Sequence, residues 1–192
     1  MAKDFKKELQ GIEEYLKSDA GEDAKTHLVY PLFKALFGSK FKIESAAANA
    51  DTYIEGELVV ELKSKKAQWL QGFYQALHYS KKGLTYPTIC VITKDFLAIW
   101  KIQDIPEHAR KLAAKSDSQK ASNEIGKVNA NKTSKAQTIE INNSATFRIL
   151  LQETDTLFSD ERSLEIDLHE FLKVLRNLDS NRIQINTYDF IN

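Results

Sequence analysis

The sequence predicts an α/β protein, a mixed α+β sheet flanked by helices, on three observations. Apolar residues recur at helical spacing in four separate stretches. Between them lie short runs of β-branched and aromatic residues that end in turn-forming pairs. The order of these segments is helix, helix, strands, helix, strand, strand, which a sheet of mixed direction with helices packed on it accommodates.

Residues 2–17 carry Phe5, Leu9, Ile12 and Leu16 on one stripe, the spacing of an amphipathic helix. After a break at 18–21, a second helix is expected over about 22–37, with Leu28, Leu32, Phe33 and Leu36 inward and Gly38 just past its end. Strands are expected at 40–46, 51–54 and 58–62, the last two joined through Glu55-Gly56. Helical spacing returns over 65–81 through Trp69, Phe73 and Leu77. Residues 88–93 form a nearly continuous apolar run, as in a strand buried on both faces, and Lys94-Asp95 joins it to a strand at 96–102. A short helix follows Pro106 to about Lys115.

Beyond it, residues 116–137 are rich in Ser, Asn, Lys and Ala, with almost no large apolar side chain. That composition predicts a mobile loop. A hairpin is expected from 138–141 and 146–151 around Asn142-Asn143, then a helix over 164–178 and a strand-like tail at 183–191. The predicted organisation is a core at 1–110, a mobile basic loop at 111–137, and a C-terminal hairpin and helix at 138–192 that complete or extend it. A tail with no stop signal fits a domain cut from a longer protein.

A chain of 192 residues, 42% hydrophobic and 28% charged, can build one sizeable soluble core. Cys90 is the only cysteine and lies in an apolar run, which predicts a buried structural thiol and a reducing, cytoplasmic setting. No signal pattern or membrane-length apolar stretch is present, so no membrane partner is expected. Net charge is zero and draws the chain towards no polyanion overall. Locally, Arg110 to Ala136 holds seven bases against Asp117 and Glu124, whereas Gln137 to the end holds five bases against ten acids. No Gly-rich phosphate loop, zinc cluster or Ser/Cys nucleophile motif is present, so this segment encodes neither ATP hydrolysis nor methyl transfer.

The chemistry concentrates around one hairpin. Asp51 opens a strand, and Glu61-Leu62-Lys63 closes the next. Residues two apart in a strand share a face, so Glu61 and Lys63 project together, with Asp51 beside Glu61 across the hairpin. Two carboxylates suit Mg²⁺, which prefers oxygen ligands and keeps waters for substrate phosphate. Lys63 is placed to orient or deprotonate a water, or to steady developing charge. The same pattern also suits an edge strand whose Glu61 and Lys63 merely face water.

The stretch Ala50-Asp51-Thr52-Tyr53-Ile54 … Leu58-Val59-Val60-Glu61-Leu62-Lys63 resembles the core motif of the PD-(D/E)XK nucleases. The segment from Gly21-Glu22-Asp23-Ala24-Lys25-Thr26-His27 through Tyr30-Pro31 to Gly38 resembles their helix with an additional active-site glutamate. Gln75-Ala76-Leu77-His78-Tyr79 is similar to the Gln-x-x-x-Tyr element on the helix after the motif. Ala50 stands where the family name has proline, a position many members vary. The resemblance spans roughly 21–102 and is closest to the nuclease domains at the N-termini of type IIG and type I restriction enzymes.

It implies a restriction-endonuclease-like core and Mg²⁺-dependent cleavage of double-stranded DNA, with Mn²⁺ able to substitute. Glu22, Asp51 and Glu61 would hold the metal and Lys63 would be the motif lysine. Gln75 would touch the DNA backbone or the surroundings of Lys63, with Tyr79 beside it. A methyltransferase, specificity or helicase region in the same polypeptide or complex would accompany the domain. A catalytically silent, nuclease-like DNA-binding or assembly module is the alternative.

Lys65, Lys66, Lys81 and Lys82 flank the motif helix and suit either phosphate contact or a solvated surface. The spacing of Trp69, Phe73, Tyr74 and Leu77 predicts a core stripe rather than base stacking. His27 and His78 lie on helices near the expected site, where a satisfied or solvent-facing histidine is a commoner outcome than a catalytic one. His108 and His169 have no partner pattern.

Overall fold

The computed structural model describes residues 4–19, 22–43, 51–81, 86–117, 119–151 and 161–188. The chain divides into two compact units, Met1–Leu151 and Gln152–Asn192.

The first unit is built on a six-stranded mixed sheet, so the α+β class expected from the sequence holds. Its strands are β1 (Phe41–Ile43), β2 (Thr52–Ile54), β3 (Leu58–Leu62), β4 (Thr88–Thr93), β5 (Phe96–Lys101) and β6 (Phe147–Leu150). They lie side by side in chain order, and every neighbouring pair is antiparallel except β3 and β4. A parallel pair needs a crossover, and α4 (Trp69–Lys81) supplies it. The central strands β3 and β4 are buried along their whole length, which explains the near-continuous apolar sequence of 88–93.

Helix α1 (Lys6–Lys17) buries Leu9, Ile12, Tyr15 and Leu16, as its spacing predicts. The helix expected over 22–37 is interrupted. It becomes a 3₁₀ turn (Glu22–Ala24), a short α2 (Lys25–Leu28) and α3 (Tyr30–Phe37). Pro31 accounts for the break, since its ring blocks a continuous helix but suits the first turn of a new one. The strand expected at 40–46 is described only as β1, and 44–46 fall outside the described residues. The expected stripe on α4 is core: Phe73, Tyr74 and Leu77 are buried, and Trp69 stacks on Trp100 with centroids 6.2 Å apart.

Residues 116–137 correct the sequence-based expectation. In place of a mobile loop, α5 (Glu107–Ala114) is followed by α6 (Ser122–Lys132) and by α7 (Lys135–Asn143). Small residues, not large apolar ones, make this possible. A Cβ on Gly126 would lie 2.7 Å from the Gln71 carbonyl oxygen, so α6 sits backbone-close on α4. Ile125 of α6 is buried, and side-chain hydrogen bonds tie the two helices: Gln71 to Asn123 (2.5 Å), Tyr74 to Thr133 (2.7 Å) and Tyr79 to Ser122. Helix α7 starts at a full capping box, Ser134 with Gln137.

The expected hairpin at 138–151 is half right. Its first arm is the end of α7, where Ile141 is buried and its carbonyl accepts from Trp100 Nε1 at 2.9 Å. Its second arm is β6, paired with β5.

The second unit carries α8 (Glu161–Tyr188), with Leu164, Leu168, Phe171 and Leu175 along one face. Its backbone stays helical to Tyr188, replacing the strand-like tail expected at 183–191, of which 189–191 fall outside the described residues. The alternation of Ile183 and Ile185 suggested a strand, but no Gly or Pro stops the preceding helix. Among the described residues, no helix is long and apolar enough to cross a membrane.

Candidate active site

In the β2–β3 hairpin Thr52 stands opposite Val60 and Ile54 opposite Leu58. One further step puts Asp51 opposite Glu61 on the same face. The turn between them needs a left-handed residue, and Gly56 provides it at φ 72°. Past the end of β3, the Lys63 amide donates to the Ile92 carbonyl at 3.0 Å, so pairing with β4 continues through the motif. β3 is therefore an interior strand, and Glu61 and Lys63 do not face water from an edge. They are 1% and 6% exposed.

Each acid is held differently. Asp51 accepts from the Leu62 amide at Oδ2 (2.7 Å) and from Lys25 Nζ at Oδ1 (2.5 Å), and Tyr30 Oη donates to its carbonyl at 2.8 Å. Glu61 accepts from Lys63 Nζ at Oε1 (3.0 Å), whereas its Oε2 is buried with no donor. Burial pushes the Glu61 carboxyl well above the usual glutamate range, and the Asp51 charge adds to this. The ammonium of Lys63 opposes the shift without cancelling it. Two carboxylates face one another here, and a proton or a cation at the orphan oxygen would relieve their repulsion.

Helix α4 roofs this pair at Gly72. A Cβ there would meet Val91 Cγ1 at 3.1 Å, Lys63 Cγ at 3.3 Å and Glu61 Cγ at 3.6 Å. A mid-helix glycine weakens a helix by about 1 kcal/mol relative to alanine. Here it leaves the room that the Glu61 and Lys63 side chains occupy.

The donor set fits a hard, oxygen-ligated divalent ion in part. Asp51 and Glu61 offer two facing carboxylates, one with a buried free oxygen. Among the described residues, no cluster of three His, Cys, Asp or Glu side chains forms. Glu22 begins the 3₁₀ turn three residues before Lys25, and its side chain lies outside the described residues.

The other predicted positions divide. Gln75 is buried one turn beyond Gly72, its Oε1 without a donor. Tyr79 is buried with its hydroxyl bonded to Ser122, so it packs α6 onto α4 and offers no surface to DNA. Lys65 is exposed, whereas Lys66 is half-buried with Nζ 3.4 Å from the Leu151 carbonyl oxygen. Lys81 is the last residue of α4 with its side chain outside the described residues, and Lys82 lies outside them altogether. His27 and His169 are exposed, His78 is buried, and His108 lies 3.4 Å from Glu140. Cys90 is buried as expected, and burial pushes its thiol far above the usual range, leaving it unreactive.

Two residues of the site were missed from sequence. Lys25 follows Glu22 by three positions, a spacing that puts both on one helical face. Gly72, a glycine inside an apolar helix, signals a close approach. No protein-family model, curated protein or solved structure matches the chain.

Proposed function

We propose that this chain is a Mg²⁺-dependent DNA endonuclease domain, the cutting part of a restriction-modification enzyme. The observation that carries the proposal is the buried pair Asp51 and Glu61, side by side at the end of the β2–β3 hairpin. Lys63 is bonded to one Glu61 oxygen, and the other has no donor. Desolvated like charges are costly without a counter-ion, and a purely structural strand does not need them. The choice of DNA and of a restriction system comes from the motif resemblance alone.

Asp51 and Glu61 hold the ion, with Glu22 as the third ligand by resemblance. A bound Mg²⁺ supplies a water of lowered pKa and offsets charge on the phosphate oxygens. Lys63, fixed by Glu61 and by its own backbone bond to β4, holds its ammonium at the carboxylate pair. From there it orients the attacking water or steadies the charge that develops on phosphate. Gln75 presents a buried amide on the helix that covers the pair. Exposed Lys65, two residues past the motif lysine, is a cation available for phosphate contact.

One observation favours the silent-module alternative. Lys25 pairs with Asp51 and Lys63 with Glu61, so each described carboxylate of the site has an ammonium beside it without a metal. Calorimetric titration with Mg²⁺ and Mn²⁺ separates the two readings. The endonuclease binds one or both ions, and Asp51→Ala abolishes binding. A chain that binds DNA equally well with and without divalent ions, and binds no ion itself, is a silent module.

A further inference from the structure

The four charges of the site are not equivalent. Asp51 is pinned by fixed groups at two points, the Leu62 amide on Oδ2 and the Tyr30 hydroxyl on its carbonyl. Its Oδ1 is held by a Lys25 ammonium at the end of a flexible four-carbon stem, 2.5 Å away. Lys63 is 7% exposed in its side chain and enclosed beneath α4, so it has nowhere to go. Lys25 is 23% exposed in its side chain and starts the four-residue α2, so its side chain already borders water. Across the hairpin from Asp51, Glu61 Oε2 is buried without a donor.

We propose that Lys25 is the exchangeable counter-ion of this site: it occupies Asp51 Oδ1 in the metal-free protein and gives that oxygen up when a divalent cation binds between Asp51 and Glu61. The proposal rests on the metal-dependent reading above. Each of the two described carboxylates already has an ammonium beside it, so a divalent ion added to an unchanged site sets its charge against both lysines in a buried space. Withdrawal of Lys25 removes the closest like-charge repulsion. It also leaves an ammonium at the rim, where a substrate phosphate would meet it. Lys25 thus offsets part of the Asp51 charge before the metal arrives, and makes metal loading a competition.

The test is calorimetric titration of the full chain with Mn²⁺ and Mg²⁺, comparing the native protein with Lys25→Met, Lys25→Arg and Asp51→Asn. Removal of the competing charge is expected to tighten metal binding by roughly tenfold in Lys25→Met. Lys25→Arg, which keeps the charge, stays near the native affinity. Thermal unfolding gives a second readout: Lys25→Met melts below the native protein without metal and gains more from saturating Mn²⁺. If Lys25→Met fails to fold, Lys25→Gln must show the same tightening. Equal or weaker metal binding in the uncharged variant, with native binding intact and lost in Asp51→Asn, overturns the counter-ion role and leaves the metal site standing. Absence of metal binding in every variant overturns both.

Discussion

Helix α4 meets its neighbours through a glycine on each of two faces, and the two contacts serve opposite ends. Towards the sheet, Gly72 makes space, and charged side chains fill it: Lys63 and Glu61 lie within 3.6 Å of where its Cβ would be. Towards α6, Gly126 removes space, and backbone fills it, with the Gln71 carbonyl oxygen 2.7 Å from the missing Cβ. The first contact keeps a desolvated carboxylate pair that weakens the fold. The second is close packing with satisfied hydrogen bonds that strengthens it.

Breaking the packing face should have the larger effect on stability. Gly126→Ala sets a methyl group against a backbone carbonyl that cannot rotate away, and is expected to destabilise by about 1–3 kcal/mol. Thermal unfolding checks this, and metal affinity of the folded fraction should be unchanged. Gly72→Ala meets side-chain atoms instead, and helix propensity returns up to about 1 kcal/mol, so stability should change by less than about 1 kcal/mol. Its effect should fall on the site, because the methyl group displaces the Lys63 and Glu61 stems. Cleavage is expected to drop by about tenfold or more from misplacement alone. A Gly72→Ala protein that melts far below Gly126→Ala would erase the distinction between the two faces.

The smallest effect concerns the charge itself. The Glu61 carboxyl titrates well above its ordinary value of 4.5 because of burial and then the Asp51 charge. A raised folded value means stability that is present below the ordinary glutamate range and lost as pH climbs through the raised one. The metal-free native protein should therefore weaken over that rise, and Glu61→Gln should lack this part of the pH dependence. Unfolding in denaturant at several pH values measures it, and identical profiles for the two proteins would show that Glu61 is not the strained group.

The two faces also differed in how far the sequence disclosed them. Asp51, Glu61 and Lys63 were legible because strand residues alternate with period two, and the turn at Glu55-Gly56 fixes which residues oppose. That the strand is interior was not, since it depends on parallel pairing with β4 across a distant helix. The α6 face was hidden by composition. Few large apolar residues mark 116–137, and the segment is held by Ile125, a backbone-close glycine and paired polar side chains. Two signals were there to be read, the capping box Ser134 to Gln137 and the helical spacing of Ile125 and Val128. Tyr79, expected beside DNA from its position in the Gln-x-x-x-Tyr element, has its hydroxyl bonded to Ser122 on the hidden helix. Lys25 needed the structure, because only there does it reach Asp51 across 26 positions.

Plasmid cleavage in Mg²⁺ or Mn²⁺ tests the central claim most directly, with the native chain set against Lys63→Ala. The native chain should nick or linearise the plasmid, and the variant should be slower by about 10²–10⁴-fold, as for loss of a positioned acid–base or charge-stabilising group. Equal cleavage by the two proteins would take the reaction away from Lys63 and from this site.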